Sequence, residues 1–376
     1  MAIHLVLHWL SDGPEGARVG LAHHDGLGLR APVAWVHHRV NSAGLATERR
    51  ALEAGLPRAV AGGGMDPLVA HGRALFDLIL PAAVKAALRA GAGRLTVITD
   101  AAALPWALLH DGTAWVGLRW ALGTVPAIER VLTPPAAAPE GDRLLVVADP
   151  AGDLPAARNE GEGLLRQLAR AGEGLACDLR LGHLARQDFL RLFRGFRLVH
   201  FAGHADAGPE GQGGWRFADG HLAPAALAQL AGGGAPGLVF ANACRSVATA
   251  DQASPSGGLV DALLAVGVRH VIGTAVDLPD LPGATFAARF YAGLRAGLSV
   301  GGAMQAARVR AAQAGDPVWA AYRLFGPPDA VYFQRRAATE LGGGPRPGVV
   351  VAARLPAPQA ADPEAFADGR QRIRGA

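Results

Sequence analysis

Short apolar runs rich in β-branched residues alternate with segments of helical periodicity through most of the chain, and this alternation constrains the fold more than any other feature. The predicted strands are 94–99, 143–148, 176–180, 197–202, 237–241 and 269–274. The predicted helices are 66–90, split by Pro81, and then 155–170, 187–193, 224–230, 256–266, 283–296 and 299–314. Strands and helices that alternate in this way form a mainly parallel sheet with helices on both faces. The sequence therefore predicts an α/β fold.

The two ends of the chain differ in composition from this α/β region. Residues 1–64 contain two short apolar runs, 3–7 and 33–36, and end in three glycines, which predicts a small β-containing N-terminal element. Residues 337–376 are rich in proline and glycine and are expected to form a flexible tail. The α/β domain itself is expected over residues 65–336.

Composition excludes several classes of protein. Half of the 376 residues are hydrophobic, which excludes a disordered chain, and the net charge of +4 comes with scattered arginines, which argues against nucleic acid as a partner. The two cysteines are too few for a disulfide framework and favour a reducing compartment. The first residues lack the cationic start of a signal peptide, and no apolar stretch reaches the ~20 residues of a membrane span. We expect a cytoplasmic protein without a membrane partner.

Two reactive side chains follow two of the predicted strands. His204 follows the strand 197–202, and Cys244 follows the strand 237–241. Because catalytic groups of open α/β sheets collect beyond the carboxyl ends of the strands, we expect both side chains at one edge of the sheet. A thiolate is a nucleophile, and a neighbouring imidazole can take the thiol proton and later protonate a leaving amine. Cys244 and His204 are therefore predicted to form a catalytic dyad, with the histidine 40 residues before the cysteine, close to the ~50 of caspases.

Each of these residues also has a plain structural interpretation. A cysteine after a buried strand can be inert packing, and a histidine at a strand end can be a polar cap. A zinc site built from His200, His204 and Cys244 would lack a fourth ligand and the usual close ligand pairs, so we expect no metal and no other cofactor. Asp206 can orient His204, or it can be a solvated loop carboxylate.

Six segments within the α/β region carry a family resemblance. They are 104–112 (LPWALLHDG), 144–161 (LLVVADPAGDLPAARNEG), 199–204 (VHFAGH), 242–246 (NACRS), 280–291 (DLPGATFAARFY) and 317–322 (PVWAAY). In this order they resemble the CHAT family of caspase-like peptidases, relatives of caspases and separases. The likeness extends over about residues 68–334.

The resemblance implies a caspase-like α/β/α sandwich and a cysteine endopeptidase that cleaves a specific partner protein in a regulatory or defence pathway. It implies a dyad of His204 and Cys244, with the tetrahedral intermediate held by the backbone N–H groups of Ala205 and Cys244. The chain departs from the family pattern at Ala205, where the family often has glycine. It departs again at 274–276, where the family's SLW reads TAV, which removes an aromatic wall from the substrate cleft. The substrate preference therefore does not follow from the resemblance.

Two other functions stay open at this stage. One is a catalytically weak or inactive caspase-like interaction module, and the other is a different thiol enzyme or acyltransferase that uses the same pair. The need for an activating partner protein also stays open.

Three residues are predicted to contact the substrate. Asn242 projects to the same side of its strand as Cys244 and is neutral. A preference for Arg or Lys would therefore draw its negative charge from Asp277 and Asp280. Asp280 can instead cap the helix expected to begin near Gly283.

Overall fold

The computed structural model describes residues 3–23, 32, 34–127, 141–170, 175–206, 214–230, 234–244, 246 and 258–333. Its strands are β1 (Ile3–Ser11), β2 (Gly16–His23), β3 (Trp35–Arg39), β4 (Gly93–Thr99), β5 (Trp120–Pro126), β6 (Arg143–Ala148), β7 (Ala176–Leu181), β8 (Leu198–Ala202), β9 (Ala205–Asp206), β10 (Gly214–Phe217), β11 (Gly220–Leu222), β12 (Leu238–Asn242), β13 (His270–Thr274) and β14 (Tyr322–Phe325). Its α-helices are α1 (Ser42–Arg58), α2 (Val69–Ile79), α3 (Ala82–Ala90), α4 (Val116–Arg119), α5 (Pro155–Arg170), α6 (Arg186–Phe193), α7 (Pro224–Ala228), α8 (Leu259–Ala265), α9 (Asp280–Arg295) and α10 (Val300–Gln313). The alternation predicted between residues 143 and 314 is confirmed element by element.

One large sheet joins most of the strands. Within the described residues its order is β3-β2-β1-β4-β5-β14-β13-β12-β8-β6-β7, and β9 to β11 form a separate small sheet. Neighbouring strands are parallel from β7 through β6, β8 and β12 to β13, and again from β1 through β4 and β5 to β14. The pairs β13–β14, β1–β2 and β2–β3 are antiparallel. The sheet is thus mainly parallel, as predicted.

Helices cover both faces of this sheet where the parallel strands are central. Along β6, Leu144 and Val146 join a hydrophobic cluster with residues of α5, α9 and α10. Leu145 and Val147 belong to a second cluster with residues of α6, α7 and α8. Because side chains of a strand alternate between faces, a strand buried on both sides needs an unbroken apolar run. The predicted α/β/α sandwich is confirmed.

The N-terminal region contains two elements that the sequence did not predict. They are β2 and the 17-residue helix α1, which buries only Leu52 and Leu56 and carries Pro57 in its last turn. With so few buried positions, the helical periodicity of α1 is weak in the sequence. β1 pairs with β4 in parallel, so the N-terminal strands extend the large sheet. The predicted tail 337–376 lies outside the described residues.

The carboxyl ends of β6, β8, β12 and β13 lie along one edge of the sheet. From β6 the chain passes through α5 to β7 on one side, whereas from β8 it continues to β12 on the other side. A reversal of this kind opens a crevice beyond the strand ends, where α/β proteins bind ligands. The loops that follow β6 and β8 meet at this crevice.

Candidate active site

His204 and Cys244 lie in neighbouring loops at the carboxyl edge of the sheet. β8 and β12 run side by side in parallel, and Ala202 pairs with Asn242 in their register. Each of the two candidate residues therefore follows this pair by two positions, from strands about 4.8 Å apart. The matched register brings the two predicted residues together.

The carboxylate beside His204 belongs to Asp153, in the loop between β6 and α5. His204 Nε2 lies 3.3 Å from Asp153 Oδ1, and the Arg216 side chain of β10 bonds to the other carboxylate oxygen. The hydrogen bond from Arg216, together with the charges of Arg216 and His204, lowers the pKa of Asp153. Asp206, the orienting candidate considered from the sequence, lies instead in β9 opposite Gly214. Asp153 was missed because it precedes the histidine by about 50 residues of chain.

The loop that carries Asp153 is held by a buried carboxylate. Asp149 is 1% exposed; its Oδ1 accepts the Leu154 N–H at 2.8 Å, and its Oδ2 accepts Arg158 Nη2 at 2.8 Å. Gly152 has a φ of 86°, and a Cβ at this position would lie within 3 Å of the ring of His183. Only glycine suits this conformation and this close approach. The run DPAGDLP therefore encodes a fixed loop that presents Asp153 to the crevice.

The loop that carries Cys244 is tied to the neighbouring strand β13. Ser246 Oγ accepts the Thr274 N–H at 2.9 Å and donates to the Ala241 carbonyl at 3.3 Å. Thr274 Oγ1 donates to the Ala243 carbonyl at 2.8 Å. These bonds satisfy buried polar groups and hold the turn on either side of Cys244 in place.

The Cys244 thiol faces the loop between β13 and α9. Burial raises the pKa of Cys244; a hydrogen bond from the Leu278 N–H opposes this shift, and the carboxylates of Asp277 and Asp280 raise the pKa further. The carboxylates of both aspartates therefore lie near the thiol. Between the described residues, no hydrogen bond joins Cys244 to His204. Burial and the acidic loop therefore both favour the protonated form of the Cys244 thiol.

Two backbone N–H groups flank the dyad. Trp215 pairs with Ala205, and the Arg216 N–H donates to the His204 carbonyl at 3.0 Å. The Ala205–Trp215 pair is consequently the non-hydrogen-bonded kind, and the Ala205 N–H points away from β10. The Cys244 N–H has no acceptor among the described residues. Among the described residues, neither N–H has a backbone acceptor.

An open cleft lies beside Cys244, between the loop after β6, helix α5 and the first turn of α9. Its lining residues are Leu154, Ala156, Ala157, Glu160, Gly203, Asn242, Ala243, Cys244, Leu278, Pro279, Asp280 and Gly283. Of the predicted substrate-binding residues, Asn242 and Asp280 line the cleft, whereas Asp277 lies against the thiol. Asp280 is the first residue of α9, whose N-cap is Pro279, so the helix begins three residues earlier than predicted.

Glu160 of α5 is a cleft residue that the sequence did not single out. Its Oε1 accepts His200 Nε2 at 2.9 Å and Asn242 Nδ2 at 2.7 Å. Tyr322 OH donates to Asn242 Oδ1 at 2.5 Å. Glu160 therefore connects helix α5 to β8 and β12 directly, and to β14 through the amide. The one feature of the sequence that pointed to Glu160 is its position in the segment 144–161, which resembles the family pattern.

Two further findings concern metals and membranes. In the ranges that the structure describes, no group of three or more His, Cys, Asp and Glu side chains is arranged to hold a metal ion. None of the helices in the described part of the chain combines the length and the apolar character that a membrane crossing requires.

The sequence pattern of the CHAT domain matches residues 69–327, more than half of the chain. Among solved structures, the chain is similar to the Saccharomyces cerevisiae separase–securin complex, with 15% identity, a TM-score of 0.47, and coverage of 63% of this chain and 16% of that chain. It is also similar to the Arg-specific cysteine proteinase gingipain R, with 12% identity, a TM-score of 0.47, and coverage of 78% of this chain and 76% of that chain. No curated protein matches. The resemblance read from the sequence is confirmed by the extent of the domain match, and the chain belongs to the CHAT domain family.

Proposed function

We propose that this chain is a cysteine endopeptidase in which Cys244 is the nucleophile and His204 the general base. The observation that carries the proposal is the matched register of β8 and β12, which delivers a thiol and an imidazole to adjacent loops beside an open cleft. Membership of the CHAT domain family supports the same assignment. The substrate is a partner protein of a regulatory or defence pathway, and the two free cysteines suit the reducing cytoplasm.

The reaction proceeds through a thioester. His204 takes the proton from Cys244 Sγ as the sulfur attacks the carbonyl carbon of the scissile bond. The N–H groups of Ala205 and Cys244 donate to the resulting oxyanion. His204 then protonates the leaving amine. In the second half, His204 takes a proton from water, whose oxygen attacks the thioester and releases the acid product and the thiol.

Asp153 positions the imidazole. Its Oδ1 lies 3.3 Å from His204 Nε2 and favours a proton on that nitrogen, which leaves the lone pair of Nδ1 to accept the thiol proton. Arg216 holds the other carboxylate oxygen and keeps Asp153 in place.

Catalysis requires the thiol to leave the acidic loop. In the structure the carboxylate of Asp277 lies near the thiol, and no hydrogen bond joins the described side chains of Cys244 and His204; catalytic hydrogen bonds commonly form only in the substrate complex. Substrate, or an activating partner protein, moves Asp277 and turns Sγ toward His204. Asn242 and Asp280 then border the bound substrate residue nearest the cut.

The test is peptide cleavage by the full chain and two cysteine variants. Cys244→Ala should abolish cleavage of a diverse peptide mixture, because the nucleophile is lost, and should barely change the unfolding midpoint, because one half-buried sulfur contributes little packing. Cys177→Ala is the matched control and should cleave as the wild type does. Cleavage that survives in Cys244→Ala would refute the proposal.

A second function is favoured by one specific observation: the carboxylate of Asp277 lies near the thiol and raises its pKa, after the larger effect of burial, and no hydrogen bond joins the described side chains of Cys244 and His204. In that case the chain is an inactive interaction module whose cleft docks a protein. An irreversible peptidyl electrophile separates the two functions. Covalent labelling of Cys244 that depends on His204 supports the peptidase, whereas labelling equal to that of a free thiol in solution supports the interaction module.

A further inference from the structure

The cleft beside Cys244 contains the carboxylate of Glu160, and only one of its two oxygens accepts hydrogen bonds from described residues. From it we infer that the cleft selects a cationic side chain, Arg or Lys, on the acyl side of the cut bond, and that Glu160 recognises its charge. The inference rests on the proposed function, because it names the substrate class of that site. It differs from the expectation that Asp277 supplies the charge, since Asp277 contacts the thiol.

Glu160 is positioned to bind a cation. Its side chain is only 9% exposed, and both of its hydrogen bonds, from His200 and Asn242, go to Oε1. No described residue donates to Oε2, while Glu160 forms part of the cleft wall. A carboxylate removed from water in this way gains most from a charged donor that reaches its free oxygen.

A hydrogen bond from Tyr322 fixes the orientation of the Asn242 amide. Tyr322 OH donates to Asn242 Oδ1, so Nδ2 must face Glu160. The Asn242 amide therefore donates its hydrogen bond to Glu160, and it carries no charge that could bind a substrate cation. The neutral residue at this position is therefore compatible with a cation-selective cleft.

The charge of the cleft has one sign. Among its described lining residues, the charged side chains are Glu160 and Asp280, and none is Lys or Arg. Burial raises the pKa of Tyr291 and of Tyr322, and the negative charge of Glu160 raises both further. An acidic substrate side chain would meet two carboxylates at low dielectric, and a neutral one would leave Glu160 Oε2 desolvated without a partner.

Small residues form part of the cleft wall. Gly283 of α9 lines it, and a Cβ there would lie 3.3 Å from Leu278 Cδ1 and 3.6 Å from Asn242 Nδ2. Ala156 and Ala157 form part of the opposite wall. Small residues on both sides leave room for the methylene stem of Arg or Lys, with the charge at its end.

The experiment measures binding first, so that it does not depend on catalysis. Calorimetry on the full wild-type chain compares butylguanidinium with butylurea, a neutral molecule of the same shape. We expect binding of butylguanidinium alone, and we expect it to slow alkylation of Cys244 by iodoacetamide, because the cleft borders the thiol. Equal binding of both molecules, or no binding of the cation, would overturn the inference.

Variants assign the binding to Glu160. Glu160→Gln should weaken butylguanidinium binding about tenfold or more, and Asp280→Asn should weaken it by less, without disturbing the bonds of His200. Glu162→Gln, on the same helix and outside the cleft, is the matched control and should bind as the wild type does. If Glu160→Gln does not fold, the test depends on Asp280→Asn. Butylguanidinium affinity in Asp280→Asn equal to that of the wild type would overturn the inference.

Peptide cleavage then separates this inference from the proposed function. Wild type should cleave peptides with Arg or Lys on the acyl side at least about tenfold faster than the same peptides with Gln or norleucine. Faster cleavage after neutral or acidic residues overturns the inference and leaves the peptidase standing. Binding of the cation as expected, with no cleavage of any peptide, keeps the cation site and refutes the proposed function.

Discussion

The free energy of unfolding should fall between pH 7 and pH 5, because the unfolded chain can protonate His270 and the folded chain resists it. His270, at the start of β13, is 2% exposed, and its ring contacts Tyr332 OH at 2.6 Å and the Pro327 carbonyl at 2.9 Å. Burial lowers the pKa of His270 from 6.5 to about 4, although the carbonyls of Pro327 and Gly237 oppose the shift. The unfolded chain therefore binds a proton on this side chain more readily than the folded chain does.

The sign and size of the effect follow from proton linkage. A folded pKa below the unfolded value means that the stability is complete above pH 6.5, falls as the pH drops toward 4, and changes no further below that. Each pH unit inside this window is equivalent to about 1.4 kcal/mol, so the free energy of unfolding at pH 5 should be about 2 kcal/mol lower than at pH 7 because of His270.

Urea unfolding at pH 7 and pH 5 measures this difference. In His270→Gln the free energy of unfolding should change by about 2 kcal/mol less between the two pH values than in the wild type. Other groups titrate in both proteins and cancel in the comparison. An equal loss in wild type and variant would show that burial does not penalise the charged imidazole, and the reasoning would be refuted.

Four further predictions concern the candidate site. Iodoacetamide at neutral pH should modify Cys244 and spare Cys177, because burial raises the pKa of Cys177 to about 11; peptide mass mapping checks this. Asp277→Asn should speed alkylation of Cys244, because loss of the adjacent negative charge lowers the thiol pKa; unchanged rates would contradict the contact. Asp153→Asn should lower kcat about tenfold or less with KM unchanged, because the Asp153–His204 pair is partly solvated, at 55% and 34% exposure, and such pairs contribute ~1 kcal/mol; a thousandfold loss would show a screened, triad-like aspartate. A metal chelator should leave peptide cleavage intact, and activity that a divalent ion restores after chelation would count against a dyad working alone.

The order of strands and helices could be read from the sequence because it depends on short windows of chain. A strand such as β6, covered on both faces, requires consecutive apolar residues, and the polar residue that ends the run marks the edge of the sheet. That rule identified His204 and Cys244 as strand-end residues. The sequence did not predict helix α1, whose buried positions are too few to make a pattern, or strands β5 and β14.

Strand neighbours, in contrast, were decided by the tertiary structure. β6 lies beside β8, which places Asp153 against His204, and α5 packs against β6, β7 and β8, from where Glu160 reaches Asn242 of the next strand, β12. These contacts join residues between about 50 and 80 positions apart, and no local periodicity encodes them. The orientation of the Cys244 thiol toward Asp277 depends likewise on how the loop after β13 packs. The sequence alone determined which side chains reach the carboxyl edge of the sheet, and only the packed sheet determined which groups they meet there, because the pairing of distant strands is a property of the whole chain.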